Sequence, residues 1–556
     1  MIGVIADPGE DAVVREFFEL FKTPWEFYSA DRQYTAVVYA GDFRVVDNAA
    51  VVIHYSAKKL DREVRETDMS FGRPKVSTIF LYGETQIPIY GIAATFADGC
   101  SGFLVDEKSQ RCAGYLDKSK ASAIVRMGYH LFDEVRTLLT IGQPIAHAST
   151  PTLELHIALL RDIVTGCGFS LVEIPPVPAG FKCIACLTHD VDHPSIRLHR
   201  WDHTMFGFIY RAIFGSFKNV LRGRISSRDL LANWLAVLKL PFVYLGFARD
   251  LWRDFDESYL TLERGIHSTF FVIPFKGRPG KKADRPAPAI REAAYGAKDI
   301  AKSIHKLKSS GCEVGLHGID AWVDASTGRE EIEEIRGLTG SSEIGVRMHW
   351  LYCDQNSPAL LETAGAAYDS TSGYNETVGY RAGTTQVFKP LNTTHMLELP
   401  LHAMDTALFY PSYLGLSERE AKDRLGHLAD TALLYGGVFT INWHDRSLAP
   451  ERLWGESYRG LVQDLKSRRA WFATAGEAVS WFQKRRSASF IANSSQRGGV
   501  SVVMTPDHHR DEMPALRLRV HFPRPTIAPS MGGAEEYVDS PVDSFRRTTA
   551  ASEVAR

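Results

Sequence analysis

The stretch Cys183-Ile184-Ala185-Cys186-Leu187-Thr188-His189-Asp190-Val191-Asp192-His193 decides how the rest of the chain is read. Its first five residues form an unbroken apolar run, the signature of a parallel strand buried on both faces. Two carboxylates follow where such a strand would leave its sheet, which is where α/β folds place their chemistry. Asp190 and Asp192 stand two residues apart, so an extended backbone points both to one face. Carboxylates that close repel one another unless a proton or a cation lies between them. The pair therefore asks for a metal. Cys183 and Cys186 form a CxxC inside the same run, where a three-residue step sends the thiols to opposite faces of a strand. With seven cysteines and no second pair, they read as reduced core thiols and fit a cytosolic compartment.

Working outward, the segment from Phe181 to about Arg486 alternates strand and helix patterns. Candidate strands are Ile184–Leu187, Ser268–Ile273, Glu313–Leu316, Gly345–Met348, Leu397–Leu401 and Val438–Ile441, with Trp471–Ala473 as a further one. Helical patterns cover Ala297–Ser309, Ser357–Gly365 and Glu418–Leu434. That alternation argues for a parallel sheet, open or closed into a barrel. Residues 1–150 read as a smaller α/β or α+β domain with no phosphate-binding glycine motif and no assignable chemistry, and residues 151–180 as a linker. Residues 487–530 read as a short β-rich extension in which Val500–Met504 pairs with Leu516–Val520. Residues 531–556 read as a disordered tail.

Residues 195–250 interrupt the alternation between the first two strands with nine Lys and Arg against three Asp, a net +6, among many aromatics. Two readings stay open: a helical cover packed on the barrel, or a peripheral contact with an anionic membrane or a lipid-linked substrate.

The 556 residues suffice for more than one core. A composition 45% hydrophobic and 23% charged is that of a globular protein, and a net charge of −2 gives no reason to expect nucleic acid as a partner. The acidic first 20 residues do not read as a signal peptide, and no apolar run is long enough to span a bilayer, so the expected location is cytoplasmic, with membrane association left open through residues 195–250.

Ionisable residues recur at one end of successive candidate strands: Asp190 and Asp192, then His317, then His349, then His402 and Asp405, then His444. A single such histidine is ordinarily structural, but five strand ends behaving alike are not. One carboxylate and two imidazoles leave positions open on a divalent ion such as zinc, which acidifies water and polarises a carbonyl. A remaining carboxylate can take a proton and a remaining histidine can give one. That chemistry is hydrolysis of an amide or ester.

Five ordered motifs carry a resemblance: Thr188-His189-Asp190-Val191-Asp192, His267-Ser268-Thr269-Phe270-Phe271-Val272, Glu313-Val314-Gly315-Leu316-His317, Gly379-Tyr380-Arg381 and Asn442-Trp443-His444. Together they resemble the polysaccharide deacetylase family, the NodB-homology or carbohydrate esterase family 4 proteins. The resemblance implies a distorted (β/α) barrel and a metal-dependent hydrolase acting on carbon–nitrogen bonds other than peptide bonds. It makes Asp190 the base, Asp192 and His317 metal ligands, Arg381 the residue that steadies the base, and His444 the general acid, oriented by Asp405. Val191 separates aspartates that the family often has adjacent, so the two aspartate roles could be exchanged. The position of the family's second metal histidine is Ala321, which leaves His349 as the preferred third ligand, with Asp320 as the alternative and His193 in a supporting role. Trp350, Tyr380 and Trp443 are candidates to stack on a sugar.

The expected substrate is an N-acetylated sugar of a polysaccharide, oligosaccharide or lipid-linked glycan. A hydrolase of a small non-sugar amide and a catalytically silent glycan-binding protein are the competing readings.

Overall fold

Eight parallel strands form the sheet that carries the site: β1 (Ile184–Val191), β2 (Thr269–Val272), β3 (Glu313–Gly318), β4 (Val346–Met348), β5 (Tyr368–Asp369), β6 (Leu397–Glu398), β7 (Ala403–Met404) and β8 (Val438–Asn442). They lie in the order β6-β5-β4-β3-β2-β1-β8-β7, and β9 (Trp471–Phe472) pairs with the start of β1. The computed structural model describes residues 1–41, 48–58, 75–96, 102–118, 122–223, 225–252, 254–281, 291–449, 451–452, 454–492, 500–504, 513–530, 536–542 and 548–550. The edge strands β6 and β7 are neighbours in sequence, and the chain between them bonds to both sides of the gap. Leu399 N–H donates to the Asp369 carbonyl at 2.8 Å and His402 N–H to the Thr440 carbonyl at 3.1 Å. The sheet thus curls into a distorted barrel.

Alternation along β1 sorts the chain into two environments. Cys183, Ala185, Leu187 and Val191 face outward into a core shared with the surrounding helices, among them Ile304, Ile332, Leu361 and Leu461. Ile184 and Cys186 face the interior with Phe271, Tyr368, Leu399 and Val438. The two thiols of the CxxC therefore lie on opposite sides of one strand, and burial pushes Cys183 up to about 12 and raises Cys186 further. Higher in the barrel the interior face turns polar through Thr188, Asp190, Arg347 and Asn442, all buried. The other end is closed by the helix Ala475–Ser487, whose Trp481 and Phe482 join the interior cluster.

The first unit is a nine-stranded mixed sheet over residues 2–127, packed by the helices Asp11–Phe21, Leu131–Thr140 and Thr152–Gly166. The segment read as a linker is thus structured. Leu153, Leu155, Ile157, Leu159 and Leu160 belong to the core of this unit, because helical spacing turns them onto its sheet, and Leu171–Glu173 pairs with Leu516–His521. The unit is also tied to the barrel side: Glu154 Oε1 accepts from the Thr384 hydroxyl at 2.5 Å and from Thr385 N–H at 3.2 Å.

The C-terminal pairing differs from expectation. Val500–Met504 pairs with Ala488–Ala492 and Thr548–Ala550, while Leu516–His521 pairs with Leu171–Glu173 and Tyr537–Val542. Part of the segment read as a disordered tail therefore forms strands, with Arg517 and Arg519 held to Asp539 at 2.9 and 2.8 Å. Of that tail, residues 531–535, 543–547 and 551–556 lie outside the described residues.

Residues 195–250 fold as two helical arms, His203–Tyr210 and Ser216–Leu221 joined through a π-turn, then Ser227–Leu245. A capping box between Ser226 and Asp229 starts the second arm, and Gly246, at φ 89°, ends it.

Candidate metal centre and active site

The upper interior positions of the barrel converge because each follows an outward-facing apolar neighbour by one step of the pleat. Leu316 faces the helices, so His317 faces inward; Val346 and Ile441 do the same for Arg347 and Asn442. His317 Nε2 lies 3.4 Å and His349 Nε2 3.7 Å from Asp192 Oδ1. One ligand atom from each of Asp192, His317 and His349 lies within 4.8 Å of the others.

The donors suit a divalent cation. His317 Nδ1 sits 2.9 Å from the Arg347 carbonyl and His349 Nδ1 3.1 Å from the Arg291 carbonyl. A carbonyl only accepts, so each Nδ1 carries the proton and each Nε2 turns a lone pair toward the centre. Burial pushes His349 down to about 4; burial also acts to lower His317, but Asp190 and Asp192 outweigh it and raise that ring. Asp192 Oδ1 is buried without a hydrogen-bond partner between these rings. Burial alone would raise the Asp192 carboxyl, but His349, His317 and His444 hold it well below the usual carboxylate range. One carboxylate and two imidazoles, each with Nδ1 tied to a carbonyl and Nε2 turned to the centre around an orphaned oxygen, fit a zinc-type ion. Asp320, the alternative ligand, is instead taken up by Lys281 N–H at 2.7 Å and Arg291 at 3.1 Å. Ala321 is buried among the outward core.

Asp190 stands one pleat deeper. Its Oδ1 accepts from Arg347 Nη1 at 3.1 Å and its Oδ2 from Asn442 Nδ2 at 2.7 Å, with His317 Nε2 3.7 Å away. Across the mouth, His444 Nδ1 lies 2.6 Å from Asp405 Oδ1, and His444 N–H donates to Asp405 Oδ2 at 2.8 Å. The Ser447 hydroxyl also donates to Asp405. Burial acts to lower His444, but Asp405 outweighs it and, with Asp192 and Asp190, raises the ring to about 10. Its Nε2 faces Asp192 Oδ2 at 3.7 Å.

Three expected site residues lie elsewhere. Arg381 does not reach Asp190. Its guanidinium lies over Tyr374 and bonds the Ile141 carbonyl at 3.4 Å, at the junction with the first unit. The cation beside the base is Arg347, which a buried arginine in an otherwise apolar strand could have signalled. Tyr380 is buried against His402 and donates to the Leu428 carbonyl at 3.2 Å. Trp443 is fully buried between Tyr458 and Phe409, on the helix-covered face one step from Asn442. Trp350 does line the cavity and, like Leu351, adopts left-handed backbone, at φ 61° and 51°. His193 bonds His199 at 3.0 Å, and His199 in turn bonds Asp202 at 2.7 Å, linking the strand end to the inserted helices. Asn442 is a second site residue that strand-end reading passed over.

A cavity of about 760 Å³ opens above these groups, lined by Asp190, Asp192, His317, His349, His444 and Trp350 among others. No protein-family model matches the sequence, and no curated protein matches it. Partial matches occur among solved structures, the following three all at TM-scores below 0.5. One described as "putative polysaccharide deacetylase" from Mycobacterium smegmatis is 15% identical, with 56% of this chain and 95% of that chain covered and a TM-score of 0.33. An allantoinase is 14% identical, covering 55% and 91%, with a TM-score of 0.31. A mutant of a CE4 family pseudoenzyme with restored enzymatic activity is 10% identical, covering 55% and 70%, with a TM-score of 0.26.

Proposed function

We propose that this chain is a metal-dependent hydrolase that removes acetyl groups from N-acetylated sugars. The observation that carries this reading is the placement of two opposite proton-handling groups around one donor set. Asp190 lies beside the donor set of Asp192, His317 and His349, and the cationic His444 faces the Asp192 carboxylate from the other side.

Asp192, His317 and His349 would hold the ion. Bound there, it would acidify a water and polarise the acetyl carbonyl. Asp190 is the base: Arg347 and Asn442 occupy one lone pair of each carboxylate oxygen and aim it at the centre, where it takes the proton of the attacking water. The water oxygen forms the new bond to the acetyl carbon while the carbon–nitrogen bond breaks. His444 delivers its Nε2 proton to the departing amine, and Asp405 keeps Nδ1 protonated and the ring in place. Acetate and a free amino sugar result. The strand positions favour Asp190 as base and Asp192 as ligand over the exchanged roles, since only Asp192 meets both imidazoles through one oxygen.

The cavity volume is that of a site for one small-molecule ligand. It suits a short sugar unit and is also the observation that keeps hydrolysis of a small non-sugar amide as a second reading. The experiment is acetate release from N-acetylglucosamine and its oligomers, compared with a panel of small acetamides, by metal-loaded wild type and Asp190→Asn. Acetate from the sugars that Asp190→Asn abolishes supports the proposal. Turnover of the acetamides alone supports the second reading. Stoichiometric metal with no turnover of either would leave a silent glycan binder.

A further inference from the structure

Beside the metal centre the same cavity holds cations that the hydrolytic reading does not use. Arg446 and Arg452 both line it, together with Lys276. Among the described residues, none of the three forms an ion pair, nor does Arg211 behind them. Arg452 is only 5% exposed; it meets the Tyr410 hydroxyl, yet its Nε and Nη1 are buried without partners. The guanidiniums lie over aromatic rings, Arg446 over Trp252 at 5.4 Å and Arg452 over Trp454 at 4.9 Å and Tyr410 at 5.1 Å. The neighbouring carboxylate, Glu451, is turned to the Trp252 indole at 3.0 Å. Burial, then the charges of Arg452 and Arg446, push Arg211 down to about 10. Asp445 and Asp192 act on Arg446 and Glu451 on Arg452 only from beyond ion-pair distance, so the buried guanidiniums keep donors free for an anion that enters the cavity.

We propose that Arg446 and Arg452 form a subsite for an anionic phosphoryl group carried by the substrate beside its acetylated sugar. This rests on the hydrolase reading for its position next to the chemistry, but its binding is separable from turnover. Inorganic pyrophosphate is the probe, titrated calorimetrically into wild type, Arg446→Met, Arg452→Met and the inactive Asp190→Asn. Binding to wild type and Asp190→Asn that weakens at least tenfold in both arginine variants is the expected result. Acetate release should also favour N-acetylglucosamine 1-phosphate over the neutral sugar at least tenfold in kcat/KM, and Arg446→Met should erase that preference. A free sugar phosphate and a lipid-linked diphosphate are separated by comparing the soluble phosphate with a polyprenyl diphosphate sugar. No pyrophosphate binding to folded wild type overturns the subsite; binding without any acetate release overturns only the hydrolase reading.

A second, independent observation concerns the inserted arms. Of the 21 exposed large apolar side chains among the described residues, 14 lie between Leu198 and Phe247. The arm Ser227–Leu245 buries a single narrow seam of Asn233, Ala236, Leu240 and Val243, and leaves Trp234, Leu238 and Phe242 in solvent on its other faces. A helix apolar all round ordinarily lies buried. Trp201 and Phe247 are 81% and 82% exposed. Exposed Lys218, Arg222, Arg228 and Lys239 are interspersed, without ion pairs among the described residues. Among the described residues, no helix is long and apolar enough to cross a membrane.

We infer that this face docks on an anionic phospholipid bilayer, with the aromatics in the headgroup boundary and the basic residues on the lipid phosphates. The charge complementarity of a net +6 segment selects an anionic bilayer over a second copy of a chain whose net charge is −2. The test is co-sedimentation of the full chain with phosphatidylcholine vesicles, with and without 30% phosphatidylglycerol, alongside light scattering of the free protein. Expected are a monomer, binding that needs the anionic lipid and weakens with salt, and loss of at least tenfold in affinity for Trp201→Ser/Phe214→Ser/Phe247→Ser. Equal binding to neutral vesicles, no binding, or a dimer dissolved by the triple substitution would each overturn it.

Discussion

Arg347 Nη1 lies 3.1 Å from Asp190 Oδ1, and the same guanidinium reaches Thr188 Oγ1 at 2.6 Å and Ser370 Oγ at 2.8 Å. The charge that fixes the base is thus built into the wall of the barrel, with Phe271 stacked beneath it at 4.5 Å. Arg347→Met should lower kcat by about 10²-fold by freeing the carboxylate to turn, and should destabilise the fold by about 3 kcal/mol because it leaves a buried charge unpaired. Arg381→Ala should leave kcat within about twofold. Steady-state kinetics with thermal melts on both variants checks the assignment, and a collapse of kcat in Arg381→Ala alone would reverse it.

His444 and Asp405 set the pH dependence. The folded His444 ring titrates near about 10, above the ordinary 6.5. The stability this confers is therefore complete below pH 6.5 and is lost as pH rises through about 10. Activity needing the imidazolium should fall over the same alkaline range. Asp405→Asn removes the principal source of the shift, so its alkaline limb should move to lower pH. His444→Ala should cost about 10²- to 10⁴-fold in kcat. An alkaline limb unmoved in Asp405→Asn would contradict the pairing.

Metal should bind once per chain. His317→Ala, His349→Ala and Asp192→Asn should each lose stoichiometric divalent metal in elemental analysis, whereas Asp320→Asn should keep it. Chelation should abolish activity and lower the melting temperature. A site filled at 100 times its Kd contributes about 2.7 kcal/mol. Retention of metal by His349→Ala would return the third ligand to another residue.

The tryptophans separate by environment. Trp350→Ala should raise KM several-fold with a modest change in melting temperature, since its ring borders the cavity. Trp443→Ala should cost about 3–5 kcal/mol as a core truncation. Denaturation curves together with KM values distinguish the two roles.

The apolar runs placed β1 to β4, β6 and β8 of the barrel, because a fully buried parallel strand writes itself as consecutive hydrophobic residues. The two-residue strands Tyr368–Asp369 and Ala403–Met404, with no apolar run around them, were invisible. The strand ends also placed Asp190, Asp192, His317, His349 and His444 around one cavity, with Asp405 behind His444, since a parallel sheet gathers its carboxyl ends. Arg381 misled because motif order says nothing of which side chain the closed sheet brings to Asp190. Trp443 misled because an aromatic one residue past Asn442 sits on the opposite face of the pleat, and Tyr380 because its loop turns it into the core against His402. The pairing of Leu516–His521 with Leu171–Glu173 is long-range, and local pattern does not announce it.

Val191 sits outward between two inward carboxylates, and its carbonyl accepts from the Tyr295 hydroxyl. Deleting that one residue would leave both aspartates in the sequence yet rotate the second into the apolar helix-covered face. Composition would be almost unchanged while the donor set vanished. The heritable unit here is parity: along this strand, length changes that conserve the centre come in steps of two.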